Sequence, residues 1–343
     1  MQAIVIDKPG GYDRLVLRTL ASPPVPAGHV RVAAQACGVN YADCIIRMGL
    51  YTSALEYVGW PITPGFEVAG TVAECGDGVD DLKNGDEVVA VTRFGGYASE
   101  VVVPRHQVFA RPKGWSAEQI AALPSVGLTA WYALLELCHP QKGAKLLVHS
   151  AAGGVGGVLV QLGRHLGCEV VGVVGAPHKV EQARALGAHL VIDRSSEDLW
   201  ARAEAFAPGG YDAIFDANGV ATLQRSYRHI APTGRLVVYG FASMLPRAGQ
   251  RRSWLKLAWH YLRTPRFNPF EMTQHNRSVM GFNLSYLFDQ TERLARGMEL
   301  LLGWAEQGVL RPAPISTFTL AQVGQAHASL ESGRTVGKLV LLP

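Results

Sequence analysis

Two different patterns of hydrophobic and polar residues divide the chain. From residue 1 to about 119, short alternating apolar runs such as HVRVAAQA, DEVVAVT and YASEVVVP are broken by Gly and Pro. This alternation predicts antiparallel strands in a sheet or a barrel. From about 120 to 283, apolar runs alternate with helical segments. The second pattern is typical of a parallel sheet that helices cover on both faces.

The middle region predicts a doubly wound α/β sheet. KLLVHSA at 145 to 151 is a first strand, and VGGVLVQLGRHLG is a helix that stops at Gly167. EVVGVV, HLVID, YDAIFDANG, GRLVVYGFA and SVMGFNL continue the series to six strands, which complete such a sheet. After 284, FDQTERLARGMELLLGWAEQG predicts a long amphipathic helix, and the chain closes with GKLVLLP. We therefore expect a β-rich domain at 1–119 and 284–343 and a second domain at 120–283.

Composition bounds the class of protein. With 343 residues, 48% hydrophobic and 17% charged, the chain is expected to be globular and to hold two domains. No secretory signal and no run of ~20 apolar residues is evident, so we expect a soluble, cytoplasmic protein. A net charge of +4 is too small to indicate nucleic acid. The five cysteines are scattered without a CxxC pair, which argues against a disulfide framework and against a structural zinc module.

A glycine-rich loop lies between the first strand of the middle region and its helix. The stretch SAAGGVGG has the spacing Ala151-x-x-Gly154-x-x-Gly157. Backbone N–H groups at such a helix N-terminus bind a pyrophosphate, and glycine removes the Cβ atoms that would hold it away. The alternative is a glycine-rich turn without a ligand. The residues expected at the phosphates are Ala152, Gly153, Gly154 and Val155.

The end of the second strand in this region predicts which nicotinamide cofactor is bound. NAD enzymes usually place an acidic residue there, but this chain reads VVGAPHK. Gly175 leaves room for a 2′-phosphate, and Lys179 and Arg194 offer positive charge. This favours NADPH over NADH. The alternative is that Lys179 is a solvated helix residue and that the site does not distinguish NADPH from NADH.

Together these motifs resemble the medium-chain dehydrogenase/reductase superfamily over essentially the whole chain. GVNYADCIIRMGLY at 38 to 51 is similar to the quinone oxidoreductase branch, whose hallmark is G-[VI]-N-[FY]-x-D followed by R-x-G-x-Y. The stretch from VVYGFA to NRSVMGFNLSYL is most similar to the vesicle amine transport protein homologues of that branch. The resemblance implies a GroES-like catalytic domain, a Rossmann domain, NADPH in the cleft between them, and a homodimer that pairs the sixth strands.

The resemblance also implies that a catalytic zinc site has been lost. Zinc alcohol dehydrogenases similar to this chain carry a Cys where Asn40 stands and a His where Phe66 stands, whereas Glu67 remains. The stretch LPSVGLTAW offers no third ligand, and a lone Glu does not hold zinc. Without a Lewis acid, hydride transfer to a quinone or an α,β-unsaturated carbonyl is favoured, because the acceptor itself spreads the developing charge.

Several residues are candidates for contacts with cofactor or substrate. By resemblance, Asn40 makes a polar contact near the nicotinamide, although an Asx turn would also explain it. Tyr51 is a candidate donor to the developing oxyanion, and packing of its ring is the alternative. Asp43 and Arg47 are expected to pair with each other.

Further cofactor contacts are expected at the carboxyl edge of the parallel sheet. Thr129 resembles the family threonine beside the nicotinamide, although a helix hydroxyl bonded to its own backbone is an alternative. The resemblance and the predicted strand ends add Asn218, Tyr239, Gly240, Phe241, Phe282 and Asn283.

One basic segment has an open interpretation. Residues 243 to 270 contain six Arg or Lys and no acidic residue: Arg247, Arg251, Arg252, Lys256, Arg263 and Arg266. SWLKLAWHYLR within it predicts a short amphipathic helix. A lid, a dimer contact and contact of 247–266 with an anionic membrane all fit this pattern. The second hypothesis for the whole chain is therefore an adaptor that binds NADPH with little turnover.

Overall fold

A computed structural model describes residues 1–244 and 254–343, without the side chains of Trp254 and Lys256. Its strands are β1 (Gln2–Val5), β2 (Val16–Thr19), β3 (His29–Val39), β4 (Glu67–Cys75), β5 (Glu87–Val91), β6 (Glu100–Pro104), β7 (Val108–Ala110), β8 (Lys145–His149), β9 (Glu169–Val174), β10 (Leu190–Asp193), β11 (Tyr211–Asp216), β12 (Ile230–Val238), β13 (Ser278–Gly281), β14 (Ile315–Thr319) and β15 (Lys338–Leu342). Its α-helices are α1 (Tyr41–Arg47), α2 (Thr52–Tyr57), α3 (Ala117–Ala121), α4 (Pro124–Trp131), α5 (Gly154–His165), α6 (Val180–Ala185), α7 (Leu199–Phe206), α8 (Leu223–Arg228), α9 (Trp254–Leu262), α10 (Pro269–His275), α11 (Thr291–Glu306) and α12 (Val323–Glu331).

The described residues form two compact units. The β-rich unit comprises Met1–Leu128 and Leu284–Pro343, and the parallel-sheet unit comprises Thr129–Asn283. Both predicted fold classes are confirmed: a β-rich GroES-like part and a doubly wound α/β part. The assignment of 1–119, 284–343 and 120–283 to separate domains stays a prediction.

The β-rich unit is organised around the long strand β3. In its main sheet the described strands follow the order β14-β15-β3-β4-β5-β7, and β6 also pairs with β3. β3, β4 and β5 are antiparallel neighbours, as the alternating pattern predicts. β15 pairs antiparallel with β3 through Leu339 and Val39, so GKLVLLP returns to this sheet. Side chains such as Val32, Val68 and Val88 form its core, all with no exposed area or nearly none.

The parallel-sheet unit is a six-stranded sheet in the described part of the chain. Its order is β10-β9-β8-β11-β12-β13, and every neighbouring pair is parallel. The six-stranded doubly wound sheet that the sequence predicted is confirmed, and its strands follow the order typical of dinucleotide-binding sheets. The strands are continuous apolar runs because helices cover them, and Leu147, Val171 and Ile214 are completely buried. All strands therefore end at one edge, where the loops carry the candidate cofactor residues.

Candidate functional site

The glycine loop joins β8 to α5 in the parallel-sheet unit. Gly153 caps the helix and Gly154 is its first residue. A Cβ at Gly156 would lie 2.3 Å from the backbone oxygen of Ser150, so only glycine lets the helix start this close to the strand. The predicted residues Ala152, Gly153, Gly154 and Val155 thus lie at the N-terminus of a helix of 12 residues. That end exposes backbone N–H groups suited to a phosphate.

Two cations lie where β9 and β10 end. A Cβ placed on Gly175, directly after β9, would be 3.5 Å from Nε of Arg194. Burial and the charge of Arg194 lower the pKa of Lys179. No acidic residue occupies positions 175 to 179. The residues of this corner fit a 2′-phosphate.

The loop after β11 is held by a buried carboxylate. Oδ1 of Asp216 accepts hydrogen bonds from the backbone N–H groups of Asn218 (2.8 Å) and Gly219 (3.1 Å). Its Oδ2 accepts from the hydroxyls of Thr222 (2.7 Å) and Ser226 (2.9 Å). Asp216 is completely buried and fixes the loop in which Asn218 is presented.

A histidine that the sequence analysis missed lies behind this loop. His149, the last residue of β8, is completely buried, and its Nε2 is 3.1 Å from Oγ of Ser226. Burial lowers the pKa of His149 although Asp216 lies nearby. The sequence shows this residue only as a His at the end of an apolar run, directly before the glycine loop.

The other predicted cofactor residues follow strands of the same sheet. Tyr239, Gly240 and Phe241 come after β12, and Phe282 and Asn283 come after β13. The ring of Phe282 packs on Tyr132 with centroids 4.9 Å apart and lies 6.5 Å from the ring of Tyr239. Because parallel strands end at one edge, the structure brings these loops together with Asn218. Thr129 instead lies in α4, where its contact with a cofactor stays a prediction.

In the β-rich unit Asn40 belongs to a buried charged network. Its Nδ2 donates to Oε1 of Glu67 at 2.7 Å, and its Oδ1 accepts from Nζ of Lys338 at 2.7 Å. Nζ also lies 3.1 Å from Oε1 of Glu67. Glu67 is completely buried and Lys338 is 5% exposed. Burial of both charges is tolerated because they are paired and hydrogen-bonded.

The second oxygen of Glu67 and a neighbouring glycine complete this network. Oε2 accepts from the backbone N–H of Ser125 at 2.7 Å, in the first turn of α4. A Cβ on Gly38 would lie 2.2 Å from Oε1 of Glu67 and from the backbone oxygen of Ala121. Gly38 is therefore required for the carboxylate to reach Asn40.

Phe66, the second position at which the sequence analysis expected a lost zinc ligand, lies in an aromatic cluster. Phe66 packs against Phe94 and Tyr51, with ring centroids 5.5 Å and 6.1 Å apart. Of the two described side chains that hydrogen-bond the Asn40 amide, Glu67 offers a ligand type that zinc takes and Lys338 does not. The donors here are instead an amide and an ammonium group.

Tyr51 precedes α2 and lies near the aromatic cluster of Phe66. Its hydroxyl is 2.9 Å from Oγ of Ser285. The ring meets that of Phe66 edge to face. The ring thus packs against the aromatic cluster, and donation by the hydroxyl to a developing oxyanion stays a prediction.

The predicted ion pair between Asp43 and Arg47 is wrong. Asp43 accepts hydrogen bonds from the backbone N–H groups of Asn40 (2.8 Å) and Gly65 (2.9 Å) and from the hydroxyl of Tyr97 (2.9 Å). Arg47 pairs with Glu331 of α12 instead. Residues four apart face one side of a helix, but α12 offers Arg47 a buried carboxylate that the local sequence does not show.

A second buried cluster lies beside this pair. Ligand-type atoms of Cys44, His327 and Glu331 lie within 4.8 Å of one another in the described part of the chain. Burial raises the pKa of Cys44 well above its usual value, and Tyr12 donates to the other Glu331 oxygen at 2.6 Å. Since Arg47 already neutralises Glu331, we assign the cluster to a hydrogen-bonded network rather than a metal centre.

The basic segment is described only in part. Arg247, Arg251 and Arg252 and the side chain of Lys256 lie outside the described residues. In α9 the apolar side is exposed in the single chain, with Leu255 at 85% and Leu262 at 71%. Within residues 1–244 and 254–343 no helix combines the length and apolarity needed to cross a membrane.

Two family models match this chain. Residues 26–113 match the model of the alcohol dehydrogenase GroES-like domain, and residues 186–341 match that of the zinc-binding dehydrogenase. The human synaptic vesicle membrane protein VAT-1 homolog is 33% identical over 345 residues, covering 100% of this chain and 86% of that protein. The 2-haloacrylate reductase of a Burkholderia species is 32% identical, covering 100% of this chain and 99% of the reductase.

Solved structures of two quinone oxidoreductases are similar to this chain over its whole length. Quinone oxidoreductase of Escherichia coli, solved in complex with NADPH, is 28% identical with a TM-score of 0.86. The match covers 100% of both chains. Quinone oxidoreductase of Pseudomonas syringae pv. Tomato DC3000 is 29% identical with a TM-score of 0.85, covering 100% of this chain and 99% of that one.

Proposed function

Because this chain belongs to the medium-chain dehydrogenase/reductase superfamily, among the relatives of quinone oxidoreductases and VAT-1 homologues, we propose that it is an NADPH-dependent oxidoreductase. Its acceptors are quinones or α,β-unsaturated carbonyl compounds, and no zinc takes part. The observation that carries this proposal is the Asn40–Glu67–Lys338 network, in which Asn40 stands where the zinc enzymes that this chain resembles carry a Cys ligand.

The parallel-sheet unit supplies residues that fit the cofactor. N–H groups at the start of α5 would hold the pyrophosphate, and Lys179 and Arg194 would hold the 2′-phosphate. The loops after β11, β12 and β13 would contribute Asn218, Tyr239 to Phe241, and Phe282 and Asn283. NADPH, when bound, supplies the hydride.

The acceptor class follows from the donors that this chain offers. Asn40 and Tyr51 provide an amide N–H and a phenol, which stabilise an oxyanion less strongly than a divalent ion does. A quinone or an enone needs less help, because the negative charge spreads over a phenolate or an enolate. The similarity to a 2-haloacrylate reductase supports a conjugated acceptor.

The proposal is tested by following NADPH absorbance with a panel of quinones and enones, using protein dialysed against a chelator. We expect steady oxidation that the chelator leaves unchanged. Binding of NADPH without turnover on any acceptor would contradict the proposal. The Phe282 and Asn218 loops would then still account for cofactor binding.

A second function is supported by the exposed side of α9. Leu255, Tyr261 and Leu262 are each more than two-thirds exposed, and the surrounding segment is basic. This favours an adaptor that binds NADPH and an anionic surface. This second function is tested by sedimentation with phosphatidylserine vesicles and, for comparison, with phosphatidylcholine vesicles. An adaptor sediments only with the phosphatidylserine vesicles and oxidises no NADPH with any acceptor.

A further inference from the structure

Lys338 makes three hydrogen bonds inside the β-rich unit. It is the first residue of β15, and its Nζ donates to the backbone oxygen of Val39 (2.8 Å), to Oδ1 of Asn40 (2.7 Å) and to Oε1 of Glu67 (3.1 Å). An ammonium group has three hydrogens, so all of them are used. The residue joins the end of the chain to Asn40, 298 positions earlier.

These contacts fix the orientation of the Asn40 amide. The ammonium group of Lys338 can only donate, so it faces the amide oxygen, and the amide nitrogen then faces the carboxylate of Glu67. A rotation of the amide by half a turn would place its NH2 against the ammonium group and its oxygen against the carboxylate. Both new contacts would be repulsive, so a single orientation is stable.

The fixed amide retains a donor. Among the bonds of the described residues, Nδ2 of Asn40 uses one hydrogen, toward Glu67, whereas an amide carries two. The positive charge of Lys338 beside Oδ1 polarises the amide and strengthens its N–H groups as donors. The second Nδ2 hydrogen therefore suits a developing oxyanion.

We infer that Lys338 is a positioning residue for the reduction, acting through the amide of Asn40 and not through contact with the substrate. This inference rests on the proposed function. In place of a metal, the chain uses a fixed and polarised amide whose orientation is set by a lysine from its last strand.

The test is a double-mutant cycle with Asn40→Ala, Lys338→Met and the combination of both. The readouts are kcat and KM for a quinone acceptor and the KM for NADPH. We expect Lys338→Met to lower kcat about 10-fold to 100-fold, somewhat less than loss of an oxyanion donor, with the KM for NADPH unchanged. If Lys338 acts through Asn40, the combined variant has the kcat of Asn40→Ala alone.

Controls separate positioning from stability. Leu339→Ala weakens the same strand at a residue 1% exposed while leaving the Lys338 contacts, so it lowers the melting temperature but keeps kcat. If Lys338→Met does not fold, Glu67→Gln with Lys338→Met removes both charges and leaves no unpaired buried ion. The same loss of kcat is expected for that pair.

The outcomes distinguish this inference from the proposed function. If the wild-type protein turns over and a folded Lys338→Met variant keeps its kcat, the inference is wrong and the proposed function stands. If the fold loss of kcat in the combined variant is the product of the two single losses, the inference is also wrong, because Lys338 would then act independently of Asn40. A wild-type protein that oxidises no NADPH with any acceptor contradicts both.

Discussion

At the residue scale, the position of Glu67 depends on a neighbour without a side chain. The carboxylate passes over Gly38 to reach Asn40 and Lys338, and a methyl group there would meet two oxygen atoms at 2.2 Å. The Glu67 carboxylate cannot move without breaking its hydrogen bonds to Asn40, Ser125 and Lys338. The glycine of the GVN motif is thus explained by packing around a charge.

Gly38→Ala is expected to destabilise the protein by about 1–3 kcal/mol or more, because overpacking here displaces a buried ion. Urea unfolding measures the effect. The control is Gly303→Ala in α11, where a Cβ meets nothing within 4 Å and helix propensity predicts a gain of up to about 1 kcal/mol. Equal stability of the two variants would contradict this account of Gly38.

His327 gives the protein a specific pH dependence. Burial and the charge of Arg47 lower its pKa from 6.5 to about 3. The unfolded chain therefore binds a proton below pH 6.5 that the folded chain refuses until pH reaches about 3. The contribution of His327 to the free energy of unfolding is therefore fully present above pH 6.5 and is lost as the pH falls toward 3.

In that window His327 contributes a slope of about 1.4 kcal/mol per pH unit. We expect His327→Gln to be less stable at neutral pH but to lose stability more slowly on acidification. The reason is that its unfolding takes up about one proton fewer than that of the wild type. Guanidinium unfolding of both proteins between pH 6 and pH 4 measures the difference. Parallel curves would show that His327 titrates normally in the folded protein.

At the scale of elements, α1 and α12 are joined by one buried ion pair. Arg47 of α1 and Glu331 of α12 are both at most 4% exposed by side chain. Arg47 also donates to the backbone oxygen of Gly10 at 2.8 Å. The hydroxyl of Tyr12 donates to Glu331, and the guanidinium carbon of Arg47 lies 4.4 Å from the centroid of the Tyr12 ring.

Arg47→Met is expected to cost about 3–5 kcal/mol, because it leaves the Glu331 carboxylate buried without its partner. The matched control is Arg184→Met, whose pair with Glu181 is exposed and should contribute less than about 1 kcal/mol. Thermal unfolding of the two variants provides the comparison. A small effect of Arg47→Met would mean that Tyr12 alone satisfies Glu331.

We propose that the corner after β9 and β10, with Lys179 and Arg194, determines cofactor preference. Arg194→Ala should raise the KM for NADPH about 10-fold or more, since a charge-assisted bond to a phosphate contributes about 1.5–3 kcal/mol. The KM for NADH should not change, because NADH lacks the 2′-phosphate. A loss that is equal for both cofactors would place Arg194 outside the phosphate site.

Much of this arrangement could be predicted from local sequence. The predictions that failed concern contacts between segments far apart in the chain. Alternation and the glycine loop predicted both sheets and the position of α5. The lysine of the Lys338–Glu67 pair is separated from its partner by 271 positions, so no local pattern indicates it. Asp43 and Arg47 have helical spacing that suggests a pair, yet each finds a partner from a distant segment.

At the scale of the whole molecule, the edge of the parallel sheet bears on assembly. β13 pairs with β12 on one side and is the last strand of the described sheet. Residues Val279 and Met280 on it are partly exposed. We propose that two copies pair these edges in a homodimer. Light scattering should give about twice 36.9 kDa, and a monomer at micromolar concentration would contradict this.

The central claim is that the acceptor, and not a metal, accommodates the negative charge. The most direct measurement compares kcat/KM for an enone and for its saturated ketone with the same NADPH-loaded, chelator-treated protein. The Asn40 network predicts ready turnover of the enone and essentially none of the ketone. Comparable values for the two, or turnover that needs added zinc, would contradict it.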